Sequence, residues 1–156
     1  MSNLLGEYEV TLDTKGRIML PVGFKRQLSE KESVRFVLSR GFEKCLTLYT
    51  ESQWEKVSTV VKRLNDFSQK ARMFKRVFLN GATFVELDAA GRLLLPKSML
   101  EHAGIRKDVV FSAQMDKVEI WDAEQFRKET QMSSEDLSDL ANEVLGSDFL
   151  NPQEGA

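Results

Sequence analysis

Hydrophobic and polar residues are arranged along this chain in short blocks that predict a mixed α+β protein. Short apolar runs bounded by glycine, proline and acidic residues are typical of strands. The predicted strands are Glu7–Leu12, Arg17–Leu20, Val34–Ser39, Cys45–Tyr49, Thr83–Leu87, Val109–Gln114 and Val118–Trp121, with one more short strand after Gly91. Apolar residues at helical spacing predict helices at Pro21–Leu28, Glu51–Leu64, Ser68–Leu79, Pro96–Ala103 and 123–128, and from Ser133 onward.

One motif of nine residues occurs twice. Asp13–Pro21 reads DTKGRIMLP, and Asp88–Pro96, 75 positions later, reads DAAGRLLLP. Leu46–Tyr49 also lines up with Val118–Trp121. Self-similarity of this kind indicates two copies of one small unit. The predicted boundaries are 1–53 for the first unit, 54–80 for linking helices, 81–128 for the second unit, and 129–156 for an acidic C-terminal helix and tail.

Each motif has the chemistry of a tight turn followed by a strand and a helix. The Asp13 side chain can accept hydrogen bonds from backbone N–H groups ahead of it, and Gly16 can adopt a positive φ. Pro21 suits the first residue of a helix, because its missing N–H would be unpaired there anyway. Arg17 directly follows the turn and is expected to project from the body of the protein. The equivalent residues of the second copy are Asp88, Gly91, Arg92 and Pro96.

The helices between the copies are predicted to contribute core to both units. Their apolar residues recur at helical spacing and are expected to point inward. Together with the apolar stripe of the acidic tail, these surfaces exceed what a small body needs for its own core, which predicts a homo-oligomer larger than a dimer. The residues expected to point inward are Trp54, Val57, Val60, Val61, Leu64, Met73, Phe74, Val77 and Phe78.

The net charge of −2 hides a strong asymmetry along the chain. Residues 1–115 carry a net charge of +6, whereas residues 116–156 carry −8. The densest basic run lies at 62–76, where only Asp66 opposes six lysine and arginine residues. A basic body can face phosphate while an acidic end faces elsewhere, although solvated helix faces would give the same pattern.

Several functional classes are disfavoured by composition. Cys45 and His102 are the only cysteine and histidine, which leaves too few ligands for a Cys/His zinc site and no second thiol for a disulfide. Cys45 is expected to be a small buried residue before a strand, and His102 a residue at the surface or near a helix end. No catalytic residue, metal or cofactor is predicted. The single cysteine fits a cytoplasmic protein, and no apolar run is long enough to suggest a membrane partner.

The doubled D-x-x-G-R-[IL]-x-[LV]-P motif resembles the MraZ family of bacterial regulators, which is associated with the division and cell-wall gene cluster. More widely, it resembles the AbrB/SpoVT superfamily. The resemblance implies an α+β fold in which two tandem units form a pseudo-twofold β-barrel flanked by helices. It also implies a closed homo-oligomeric ring, an octamer or a dodecamer, that binds direct repeats in double-stranded promoter DNA. Repression of its own gene cluster at the nucleoid in the cytoplasm would follow.

The first copy is the better candidate for contact with DNA. Lys15 and Arg17 form a positive prong at the turn, and Lys25 and Arg26 follow on the adjoining helix. Arginine is suited to bidentate recognition of guanine in the major groove, and a two-stranded ribbon fits that groove. These four residues are the predicted DNA contacts.

The second copy lacks this basic prong. Ala89 and Ala90 stand where the first copy has Thr14 and Lys15, so Arg92 is expected to have a structural role. A salt bridge from each arginine to the aspartate of its own turn remains an alternative to DNA contact. A second alternative is a ring-forming protein-interaction scaffold without direct DNA readout.

Overall fold

The computed structural model describes residues 3–146, which contain eight strands and six helices. The strands are β1 (Leu4–Thr11), β2 (Arg17–Met19), β3 (Arg35–Arg40), β4 (Leu46–Thr50), β5 (Thr83–Glu86), β6 (Arg92–Leu94), β7 (Asp108–Met115) and β8 (Val118–Asp122). The helices are α1 (Val22–Lys25), α2 (Glu51–Lys62), α3 (Gln69–Phe78), α4 (Lys97–Ala103), α5 (Ala123–Thr130) and α6 (Ser134–Leu145). The chain divides into a body that ends at Phe126 and a C-terminal unit that begins at Arg127.

The strands of the body form one antiparallel sheet and one ribbon. The six-stranded sheet has the order β1-β7-β8-β4-β3-β5, and β2 pairs with β6 in the ribbon. The edge strands β1 and β5 are not hydrogen-bonded to each other, so the sheet is open on that side. The ribbon spans this open side, because β2 contacts β1 and β6 contacts β5. The eight strands therefore surround a common core in a barrel-like arrangement.

The two copies are related by an approximate twofold axis. Exchanging β1–β4 for β5–β8 turns the strand order of the sheet into its own reverse. The axis passes through pairs of equivalent residues: Thr47 faces Glu119 between β4 and β8, and Ile18 faces Leu93 between β2 and β6. The copies are also interleaved, since β1 pairs with β7 and β5 pairs with β3. The predicted α+β fold of two related units is confirmed, whereas the domain boundaries between them remain a prediction.

One hydrophobic core fills the space between the sheet and the ribbon. Ile18 and Leu93 on the axis of the ribbon are both fully buried. The Phe24 ring of α1 packs edge-on against Phe111 of β7, with 4.8 Å between ring centroids. The remaining large side chains of this core come from both copies and include Leu4, Phe36, Leu38, Leu46, Leu48, Leu95, Met99 and Ile120. Because both copies supply it, this core joins them into one body.

The prediction that α2 and α3 supply core to both copies is wrong. Val61 is the only buried residue of α2, and α3 has none. Val60 and Val77 are more than 60% exposed. Helical periodicity identifies an apolar face, but the strands and the short helices α1 and α4 already fill the core, so this face remains on the surface.

Two smaller differences concern helix ends. Pro21 and Pro96 occupy the position before α1 and α4 rather than the first helical residue, because their ψ angles of 133° and 146° are extended. The helix α1 is also shorter than predicted and ends at Lys25. Gly104 ends α4 with a φ of 64°, which is the left-handed conformation that glycine adopts most easily.

The C-terminal unit contains the predicted acidic helix, here α6. The Ser133 side chain accepts a hydrogen bond from the backbone N–H of Asp136 and caps its first turn. Leu137, Leu140 and Val144 form the predicted apolar stripe, and all three are exposed. Residues 147–156 of the predicted tail lie outside the described residues. Within the described part of the chain, none of the helices combines the length and apolar character needed to span a bilayer.

Candidate nucleic-acid interface

The first turn is built around the Asp13 carboxylate, as the sequence predicts. Oδ1 of Asp13 accepts hydrogen bonds from the backbone N–H groups of Lys15 and Arg17, both at 2.9 Å. Gly16 has a φ of 82° and donates its N–H to the carbonyl of Asp13. The turn therefore orders the backbone on both sides of Lys15.

The second turn repeats this geometry residue by residue. Oδ1 of Asp88 accepts from the backbone N–H groups of Ala90 at 3.0 Å and Arg92 at 2.9 Å. Gly91 has a φ of 83°. The same turn thus forms with Thr14 and Lys15 or with Ala89 and Ala90 at its tip.

Both arginines fold back onto the aspartate of their own turn. Nε of Arg17 donates to Oδ2 of Asp13 at 2.7 Å, and Nε of Arg92 donates to Oδ2 of Asp88 at 2.9 Å. The Arg17 side chain is only 25% exposed and is held by Asp13, so the expectation that it projects from the body of the protein is wrong. Because the bond uses Nε, the terminal nitrogens of Arg17 have no hydrogen bond within residues 3–146.

These contacts shift both carboxylates toward their charged form. The backbone N–H and side chain of Arg17 hold the pKa of Asp13 below its usual value, helped by the backbone N–H of Lys15. The backbone N–H of Arg92 does the same for the pKa of Asp88. At neutral pH both aspartates are therefore ionised, and each holds a guanidinium group.

The ribbon brings the two turns together across the twofold axis. Arg17 faces Leu94 and Met19 faces Arg92 in the antiparallel register of β2 and β6. As a result, Nη1 of Arg92 lies 3.9 Å from Oδ2 of Asp13. Arg17 and Asp88 form no equivalent ion pair among the described residues. The two arginines therefore belong to one surface element, with Asp13 between them.

Lys97 is a candidate site residue that lies outside both copies of the motif and was not predicted from the sequence. The antiparallel ribbon places the first turn beside the start of α4, where the backbone N–H of Leu95 donates to the carbonyl of Gly16 at 2.8 Å. Lys15 and Lys97 consequently line the same shallow cleft of about 320 Å³, together with Thr14. Both lysines are exposed. Two cations from different copies thus flank one turn.

The other end of the ribbon is apolar. The twofold-related equivalents of Lys15 and Lys97 are Ala90 and Val22. Val22 is 63% exposed, and the nearest atom to the position of a Cβ on Gly91 is Sδ of Met19. The ribbon therefore has one basic end and one apolar end, although its backbone is symmetric.

Lys25 and Arg26 lie at the end of α1, not at the first turn. This helix contacts β1, where Gly23 lies against the ring of Tyr8. Both basic residues are exposed. Their predicted role in DNA binding remains a prediction.

The other residues singled out from the sequence lie away from the turns. Cys45 is fully buried directly before β4, as predicted. His102 is half-buried on α4, and burial lowers its pKa. In the basic run, Lys75 of α3 forms an ion pair with Asp66, which lies three residues before that helix begins. Among the described residues, only Glu43, Cys45 and Glu119 bring three potential metal ligands together, and Glu119 already accepts hydrogen bonds from Gln114 and Trp121.

A known protein family shows the same doubled architecture. The family described as "MraZ protein, putative antitoxin-like" matches the chain twice, over residues 4–77 and 78–147. The chain belongs to the MraZ family. The two matches to the family follow the two structural copies, so the internal repeat is the MraZ repeat.

Curated members of the MraZ family resemble the chain over nearly its whole length. A protein of Christiangramia forsetii named "Transcriptional regulator MraZ" is 42% identical over 95% of this chain and 96% of its own. Proteins with the same name from Cytophaga hutchinsonii (39% identity; 90% and 93%) and Flavobacterium psychrophilum (40%; 94% of both chains) are similar to it as well. MraZ proteins are named as regulators, which agrees with the prediction that the chain is not an enzyme.

Proposed function

We propose that the protein is a sequence-specific DNA-binding transcriptional regulator. The observation that carries this proposal is the ribbon, which joins two arginine-containing turns and has the exposed Lys15 and Lys97 together at one end. The regulatory name of its relatives supports the same function. By the family resemblance, it acts in the cytoplasm at the nucleoid and represses its own division and cell-wall gene cluster.

The basic end of the ribbon faces DNA in this proposal. The terminal nitrogens of Arg17 bind a base edge in the major groove, where an arginine fork suits guanine. Lys15 and Lys97 contact phosphates on either side, which position the ribbon without reading sequence. Lys25 and Arg26 contribute further phosphate contacts from α1. Arg92 at the opposite end has a mainly structural role.

A single ribbon makes few contacts, so the proposal includes a closed homo-oligomeric ring. The exposed apolar residues of α2 and α3 support this, because they form a surface that a neighbouring subunit would bury. Several ribbons on a rigid ring raise the effective concentration of later contacts. Such a ring, an octamer or dodecamer by the resemblance, would bind direct repeats in promoter DNA. Light scattering that reported a monomer or dimer at micromolar concentration would contradict this part.

The test is a gel-shift titration with the DNA upstream of its own gene and with random DNA of equal length. Arg17→Ala should lower specific affinity roughly 10- to 100-fold, the worth of a good bidentate base contact, without changing oligomer size. Arg92→Ala serves as the matched control and should have a much smaller effect. Raising salt from ~50 to ~200 mM should weaken binding steeply. Equal losses from both substitutions would contradict the asymmetry of the ribbon.

A protein-interaction scaffold is the second candidate, and a cluster of surface aromatic residues favours it. Phe78 stacks with Phe42, Trp54 and Phe74, with ring centroids 5.3 to 6.1 Å apart. Phe42 is 82% exposed, and large exposed apolar groups often mark contact sites. If Arg17→Ala leaves DNA binding unchanged, the scaffold becomes the better explanation.

A further inference from the structure

Asp13 has more polar contacts than its twofold-related partner Asp88. Oδ1 accepts from two backbone N–H groups, which builds the turn. Oδ2 accepts from Nε of Arg17 at 2.7 Å and lies 3.9 Å from Nη1 of Arg92. Asp88 has the first three contacts but lacks the fourth. Asp13 is therefore the point where the arginines of both copies meet.

A carboxylate at this position is electrostatically unfavourable for a surface that approaches phosphate. If charge alone determined binding, removing Asp13 would strengthen binding to any DNA. The contacts of Oδ2 suggest a compensating benefit. The guanidinium group is planar, so fixing Nε and the side chain of Arg17 also fixes the plane in which its terminal nitrogens lie.

We propose that Asp13 is a positioning residue for DNA recognition, which fixes the direction of the terminal nitrogens of Arg17. This inference rests on the proposed function, since positioning matters only if Arg17 contacts DNA. Asp13 itself does not touch the DNA. Asp13 fixes the orientation in which the guanidinium group of Arg17 meets a base edge. It therefore affects specificity for the DNA sequence more than overall affinity.

Asp13→Asn separates positioning from charge. Asparagine can still accept the two backbone hydrogen bonds of the turn, but it cannot accept the charge-assisted hydrogen bond that Nε of Arg17 donates to Oδ2. We expect specific affinity to fall about tenfold or more, as for a lost bidentate contact. Binding to random DNA should stay the same or rise, because one negative charge is gone. Specific affinity that is unchanged or higher would overturn the inference.

Two further variants control the experiment. Asp88→Asn removes the same charge from the equivalent turn and should lower specific affinity much less than Asp13→Asn; an equal loss would overturn the assignment to Asp13. Asp13→Glu keeps the charge but displaces the carboxylate by one methylene. It should also lose specific affinity, and wild-type binding by Asp13→Glu would overturn the inference even if Asp13→Asn failed to fold.

The outcome also distinguishes this inference from the proposed function. If the wild-type protein does not prefer its promoter DNA over random DNA, the proposed function itself fails. If the wild type binds specifically and Arg17→Ala does not, while Asp13→Asn binds like the wild type, only the positioning role fails. Melting temperature and oligomer size are measured for every variant to confirm that it is folded.

Discussion

Gly16 and Gly91 provide a matched test of how the two turns differ in their surroundings. They have almost the same φ, 82° and 83°, and the same position in the repeated motif. A Cβ on Gly16 would lie 3.3 Å from the backbone carbonyl oxygen of Leu95. A Cβ on Gly91 would meet only the flexible Met19 side chain, at 3.6 Å. Replacement by alanine should therefore cost more at Gly16.

The magnitudes follow from the two environments. A left-handed conformation costs a non-glycine residue about 1–2 kcal/mol, and the loss of chain entropy in the unfolded state returns about 0.4–1 kcal/mol. Gly91→Ala should thus lower the free energy of unfolding by roughly 0–1.5 kcal/mol. Gly16→Ala adds an overpacking cost of about 1 kcal/mol. The carbonyl of Leu95 cannot easily move away, because the N–H of Leu95 is bonded to the carbonyl of Gly16.

Urea denaturation at one fixed protein concentration is the appropriate assay, because oligomerisation makes apparent stability depend on concentration. Fluorescence of the buried Trp121 can follow the body unfolding. The midpoint of Gly16→Ala should lie below that of Gly91→Ala, and both should lie at or below the wild type. Equal midpoints, or a lower midpoint for Gly91→Ala, would refute the idea that the cross-copy contact at Leu95 distinguishes the turns.

Three further predictions concern other parts of the chain. Lys97→Ala should weaken binding to specific and random DNA alike, and it should reduce the slope of log affinity against log salt concentration by about 1 in a gel-shift series. Lys117→Ala, in the β7–β8 turn at the other end of β1, should change neither. A loss of binding confined to specific DNA would contradict the phosphate role of Lys97. Burial lowers the pKa of His102 in the folded state, because it disfavours the charged imidazole. The contribution of neutral His102 to folding stability is therefore fully present above the unfolded pKa of ~6.5, and it is lost as the pH falls from that value through the lower folded pKa. When the pH is lowered from about 7 to about 5, the melting temperature should therefore fall more in the wild type than in His102→Gln. Equal falls in melting temperature in the two proteins would contradict this. Truncation after Gln131 removes the exposed apolar stripe of α6 and should reduce the number of subunits per oligomer measured by light scattering; an unchanged subunit number would exclude the stripe from assembly.

The two turns could be predicted from the sequence because their determinants are local. Asp13 and Gly16 act on backbone groups within four residues, and the same holds for Asp88 and Gly91. The role of Cys45 was likewise predictable, since a small apolar residue before a continuous apolar strand is usually buried.

Lys97 and the exposure of α3 could not be predicted in the same way. Lys97 lies beside Lys15 only because β2 pairs with β6 in an antiparallel register, and neither copy of the motif encodes that pairing by itself. The helical spacing of Met73 and Val77 is the same whether their face is covered by this chain or by another. The position of Lys97 and the exposure of α3 both depend on non-local contacts, which a pattern of residue types does not specify.

The interleaving of the two copies has a consequence for how the protein can fold during synthesis. Leu4 is paired with Met115, so the outermost strand of the first copy has its partner more than one hundred residues away. Pairings of such high contact order form slowly, because a long loop must close before any contact compensates for its entropy. The first copy cannot complete its sheet while it emerges alone from the ribosome, since β1 and β3 both await strands of the second copy. The body can therefore complete its sheet only after both copies have been synthesised, and until then these strand edges are open to pairing with other chains.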